Sequence, residues 1–125
     1  MTILVVGNGF IGQAVLKALG PERGRMVRHG DLEAPHILQG VETVVFAGRH
    51  PRLGRPDWTI EDDQEPPLAK IAARQGVSFI TLGTRKVYAP TQLPLMEESR
   101  IGPTDLYGQQ KLQLERSLHG ILGKR

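Results

Sequence analysis

Tyr107 and Lys111 stand four residues apart, a spacing that puts both side chains on one face of a helix. An ammonium beside a phenol stabilises phenolate, which turns a weak acid into a usable base near neutral pH. Taken alone, the pair reads equally as a surface tyrosine and an exposed lysine on an amphipathic helix. Near the N-terminus, Gly7, Gly9 and Gly12 form G-x-G-x-x-G. In such a turn the first glycine allows the tight bend, the second lets backbone approach a pyrophosphate, and the third lets the following helix pack on the preceding strand. The N–H groups at the start of that helix then face the phosphates. Fifteen glycines in the chain raise the rate of accidental matches, and a glycine turn without a ligand is the alternative. Context favours a dinucleotide, because the motif sits between a strand pattern and a helix pattern. About twenty residues on, an acid takes the ribose hydroxyls and a base accommodates a 2′-phosphate. Arg28 tilts the choice toward NADP, with Asp31 close behind; an exposed arginine at a strand end is the competing reading.

The elements that must position these residues follow from periodicity. Thr2 to Val6 is a continuous aliphatic run, the signature of a strand buried on both faces. The helical stripe Ile11, Val15, Leu16, Ala18 and Leu19 stops at Gly20-Pro21. Further strands are predicted at Arg25 to His29, Val41 to Ala47 and Val77 to Leu82. Asp31 to Gly40 reads as a turn, and Gly48 to Pro56 as a polar loop. Glu61, Asp62, Asp63 and Glu65 precede Pro66-Pro67 and the stripe Leu68, Ile71, Ala72, which ends at Gly76; acids at the front suit the helix dipole. Tyr88 to Pro103 is irregular, and Asp105 to Leu122 is the last helix. Strands alternating with helices predict a Rossmann-like three-layer α/β/α fold, with an open parallel sheet of about four strands. Its last strand is an open edge that a partner, a second subunit or further sequence would cover.

The chain has 125 residues, the size of a single domain spanning 1–125. Its apolar and charged fractions, 39% and 23%, are those of a globular protein rather than a disordered one. No apolar run approaches the length needed to span a bilayer, and MTILVVG lacks the basic start of a signal peptide. We therefore expect a cytoplasmic protein with no membrane partner. With no cysteine, disulfides and thiolate-ligated metals are excluded. The four histidines, His29, His36, His50 and His119, have no ligand spacing, so no metal site is expected. The net charge of +3 comes from scattered basic residues, which does not point to nucleic acid. Trp58 and Phe79 read as packing residues, and Glu115 as a surface partner for Lys111.

YGQQK at Tyr107, with Pro103 before it and Glu115 after it, resembles the extended short-chain dehydrogenase/reductase superfamily, the NAD-dependent epimerase/dehydratase family. Other segments agree in order. GFIG (Gly9, Phe10, Ile11, Gly12) looks like the cofactor turn, and Gly30-Asp31-Leu32 like the segment that meets adenine. VVFAG, ending in Ala47 and Gly48, is similar to the strand end beside the nicotinamide ribose. In TLGTRKVY, Thr84 falls where the family carries a catalytic Ser or Thr. The resemblance covers nearly the whole chain.

It implies an oxidoreductase or epimerase/dehydratase that uses NAD or NADP on a nucleotide-linked sugar. Tyr107 would be the acid/base, Thr84 the hydrogen-bond donor to the reacting oxygen, and Lys111 a holder of both phenolate and nicotinamide ribose. Dimerisation through helices 68–75 and 105–122 is also implied. The departures are specific. Val6 replaces the first glycine of the family's usual G-x-x-G-x-x-G, and there is room for only about one strand between the first helix and VVFAG. The asparagine common near the start of the next helix is missing, since Asn8 is the chain's only asparagine. The family's C-terminal substrate lobe is lacking. These departures keep open an NAD(P)-binding module or scaffold without chemistry of its own, or a fragment of a longer enzyme.

Overall fold

A computed structural model describes residues 2–28, 36–83, 88–89 and 99–123. Its elements are β1 (Thr2–Val6), α1 (Phe10–Leu19), β2 (Gly24–Val27), β3 (Val41–Phe46), α2 (Glu65–Gln75), β4 (Ser78–Thr81) and α3 (Leu106–Leu122). The strands form one four-stranded sheet in the order β2-β1-β3-β4, and every pairing is parallel. Leu4, Val5 and Val6 of β1 are completely buried, as expected of an inner strand covered on both faces. Alternation along β1 sends Val5 to one face and Leu4 and Val6 to the other. Gly12 of α1 lies over the Val5 side chain. Leu4 and Val6 instead join Val44, Phe46, Leu68 and Ala72 in the main core. Helix α1 thus covers one face and α2 the other, which is what right-handed crossovers in opposite directions from the sheet centre require. Helix α3 packs beside α2.

The ends of the elements have local causes. Strand β2 stops at Val27, two residues short of the predicted His29, because its one neighbour ends at Val6, the partner of Val27. The Gly7 N–H closes that ladder on the Val27 carbonyl at 2.8 Å. Helix α2 starts at Glu65 and carries both prolines in its first turn, where a missing N–H costs nothing. Helix α3 is capped by Asp105, whose carboxylate accepts the Gly108 N–H at 2.7 Å. Among the described residues, β2 and β4 are the two edge strands of the sheet.

The stretch Gly48 to Pro56, read from sequence as a polar loop, is folded against α3. Leu53 and Trp58 are buried with Leu114 in a second core, onto which Ile60 and Tyr107 pack. Gln110 accounts for the ordering. Its Oε1 accepts the Gly54 N–H at 2.6 Å, and its Nε2 donates to the Arg55 carbonyl at 2.8 Å. Within the irregular segment, Tyr88 and Ile101 form an antiparallel bridge. Trp58 and Phe79 do pack: the Trp58 indole N–H donates to Asp63 at 3.1 Å, and the Phe79 ring stacks on Phe46.

Candidate functional site

The chain leaves β1 toward β2 on one side and β3 toward β4 on the other, so the crevice above their C-terminal ends is a topological switch point, where open α/β sheets take ligands. Two loops meet there. Gly7, at φ 105°, holds a backbone conformation that L side chains rarely adopt. A Cβ on it would also stand 2.7 Å from Gly48 backbone atoms. Gly12 touches the Gly7 carbonyl so closely that an added Cβ would collide with it. Both glycines are therefore demanded by the packing of the protein itself.

Gly9 differs. It is the N-cap of α1 at φ −77° and ψ −167°, a conformation open to any residue, and a Cβ there would meet nothing within 4 Å. It stands at the start of a helix whose first turn carries no acid and whose N-cap makes no side-chain hydrogen bond. Open space at an uncapped helix start is compatible with the close approach of a phosphate group. Phe10 and Ile11 follow it, 92% and 51% exposed, large apolar side chains left beside the crevice. Across the crevice, Ala47 donates its N–H to the Val6 carbonyl, which sets Ala47-Gly48 alongside Gly7. Arg28 is exposed just past β2, at the same end of the sheet. Asp31, Leu32 and Thr84 lie outside the described residues.

Tyr107 and Lys111 lie one turn apart on α3, both half-buried. The Arg49 guanidinium sits 5.2 Å from the centre of the Tyr107 ring, near enough for a cation–π contact. Arg49 is fixed in turn by its bond to the Leu53 carbonyl at 2.9 Å. The Lys111 ammonium donates to the Leu82 carbonyl, at 2.9 Å, just beyond β4. The sequence expectation aims this lysine at the tyrosine; in the structure its hydrogen bond ties it to the strand end that leads to Thr84.

Glu65 is the residue that sequence reasoning passed over. Its position at the front of a helix suits the dipole, yet it is buried at 4% exposure. Its Oε2 accepts the Thr81 hydroxyl at 2.6 Å. Burial pushes its pKa up to about 7, outweighing the hydrogen bond from Thr81 and the attraction of Lys111, with Asp63 and Glu115 adding repulsion. A signal was present: positions 65, 68, 69 and 72 share one helical stripe, and Glu65, Leu68, Ala69 and Ala72 are all buried. Glu115, expected at the surface, is half-buried and its Oε1 lies beside Gly83.

No family model matches the chain, and no curated protein does. Solved structures match nearly all of it. MoeE5 in complex with UDP-glucose and NAD is 23% identical over 99% of this chain and 50% of its own, with a TM-score of 0.75. A short-chain dehydrogenase/reductase superfamily protein from Agrobacterium tumefaciens with bound NAD is 24% identical over 96% of this chain and 44% of its own, with a TM-score of 0.72. The UDP-glucuronic acid 4-epimerase from Bacillus cereus in complex with NAD is 21% identical, covering 97% and 52%, with a TM-score of 0.75. The chain therefore has the Rossmann-like fold of these enzymes and spans about half their length. Among the described residues, no helix is long and apolar enough to cross a membrane.

Proposed function

We propose that residues 1–125 form one NAD(P)-binding unit of the extended short-chain dehydrogenase/reductase type, serving an oxidoreductase or epimerase/dehydratase that acts on a nucleotide-linked sugar. The observation that carries this reading is the contrast among the three glycines of the turn. Gly7 and Gly12 are required by backbone contacts within the protein, whereas Gly9 opens on space at an uncapped helix start. Nothing in the protein's own packing calls for a glycine there; the close approach of a pyrophosphate would. The solved relatives that bind NAD and UDP-sugars support the same cofactor and substrate class.

In this reading Gly7, Gly9, Phe10, Ile11 and Gly12 hold the dinucleotide at the head of α1. Ala47 and Gly48 border it across the crevice, and Asp31 and Leu32 meet its adenine end. Arg28 favours the 2′-phosphate of NADP. The bound dinucleotide would supply hydride transfer. Tyr107 exchanges the proton on the substrate oxygen, Thr84 hydrogen-bonds that oxygen, and Lys111 holds the nicotinamide ribose from its seat on the Leu82 carbonyl. Arg49, stacked on the Tyr107 ring, restrains the phenol's orientation. A homodimer through the outer faces of α2 and α3, in the cytoplasm where such cofactors and substrates are found, completes the reading.

The half-length match fits a second reading, in which these residues are a cofactor-binding module or scaffold, or a fragment of a longer enzyme whose chemistry needs sequence outside residues 1–125. Calorimetric titration with NAD and NADP tests the first step: saturable binding by the folded chain is expected, and no binding of either would refute it. Turnover on UDP-sugars then separates the two readings.

A further inference from the structure

Glu65 and Lys111 grip neighbouring residues at the end of β4. From the start of α2, the buried carboxyl takes the Thr81 hydroxyl at 2.6 Å. From α3, the ammonium takes the Leu82 carbonyl at 2.9 Å. Among the described residues, the groups facing Glu65 are Asp63 from the preceding turn, Thr81 from β4, and Lys111 and Glu115 from α3. Asp63 is already committed, accepting the Trp58 indole N–H and the Glu65 backbone N–H, both at 3.1 Å. Among the described residues, Lys111 is the cation set beside these carboxyl groups, and Glu65, at 4% exposure, is shielded from water that could solvate its charge. Thr81 and Glu115 also line a groove of about 370 Å³ between β4 and the last turns of α3.

We propose that Glu65 is a positioning residue for Lys111: neutral, it leaves the ammonium on the Leu82 carbonyl, and ionised, it draws the ammonium toward α2. The protonation of one buried carboxyl then controls how Lys111 is presented to the dinucleotide. This rests on the reading of Lys111 as a cofactor-holding residue. The switch falls in the physiological range, since burial places the Glu65 transition at about 7. By linkage, whatever the carboxyl does to dinucleotide affinity, the dinucleotide does to the carboxyl.

The test follows the Leu82 and Gly83 backbone amide resonances against pH in the full chain without ligand, then measures NAD affinity across the same range. In the wild type both amides should show an inflection near pH 7. Glu65→Gln should abolish it, and Lys111→Met should move it to higher pH by removing the cation that favours the carboxylate. NAD affinity should change by at least about fivefold through the inflection in the wild type, whereas Glu65→Gln should bind NAD with flat affinity. A residue with a merely structural role would shift affinity uniformly and leave the pH profile unchanged. An inflection that survives in Glu65→Gln overturns the proposal, as does NAD affinity that ignores the inflection. A wild type that shows the inflection but binds no NAD at any pH brings down the cofactor reading, and this proposal with it.

Discussion

Replacing Glu65 by glutamine should stabilise the protein at neutral pH, and the size of the effect follows from its burial. The folded protein holds this carboxyl at a pKa of about 7 against an ordinary 4.5. Below the lower value both folded and unfolded chains carry the proton, and the residue contributes no pH dependence. Between the two values the unfolded chain has released it while the folded chain retains it, so stability falls as pH rises. Above about 7 both are ionised and the loss levels off, at roughly 3 kcal/mol from 1.36 kcal/mol per tenfold change in proton affinity. Glutamine keeps an oxygen for the Thr81 hydroxyl and never ionises. Urea unfolding of both proteins at mildly acidic and mildly alkaline pH measures the difference. The two should agree within about 1 kcal/mol in acid and diverge by ~2–3 kcal/mol in alkali, with the variant the more stable. In thermal melts the alkaline difference should appear as about 10 °C. Parallel stability curves would refute the assignment of a raised proton affinity to this carboxyl.

The glycine turn separates fold from function by substitution. Gly12→Ala drives a Cβ into the Gly7 carbonyl and should cost roughly 3 kcal/mol in chemical denaturation. Gly9→Val, pointing into open space, should leave stability within ~1 kcal/mol yet abolish dinucleotide binding by calorimetry. Arg28→Ala should lower the ratio of NADP to NAD affinity, and an unchanged ratio would remove Arg28 from cofactor choice. Where turnover on a nucleotide-linked sugar is measured, Tyr107→Phe should reduce it by something like 10²–10⁴-fold while the Arg49 contact and the melting temperature persist, because only the hydroxyl is lost.

Legibility in the sequence follows the range of the interactions. The run Thr2 to Val6 and the glycine turn are local, so the strand, turn and helix are readable residue by residue. The end of strand β2 is not legible locally because it is set by β1, whose residues pair with it 21 positions away in the chain. Gly48 to Pro56 carries no periodicity, and its order comes from the Gln110 side chain. The one-turn spacing of Lys111 from Tyr107 is legible in the sequence, but its bond to the Leu82 carbonyl depends on where α3 settles against β4. Glu65 was hidden by chemistry: an acid at a helix start satisfies the dipole rule so well that its place on the apolar stripe with Leu68 and Ala72 went unused.

The amide of Gln110 links the last helix to backbone 56 and 55 residues earlier, and this fixes an order of assembly. Closing a loop of that length costs ~3.5 kcal/mol of chain entropy before the contact returns anything. Strands β1 and β3 with α2 can collapse first around their shared apolar surface, leaving the segment after β3 unformed until α3 arrives. During synthesis, the wall of the crevice that holds Arg49 is therefore expected to take shape once α3 has emerged from the ribosome. The region around Tyr107 should accordingly be the last to gain protection in pulsed hydrogen exchange.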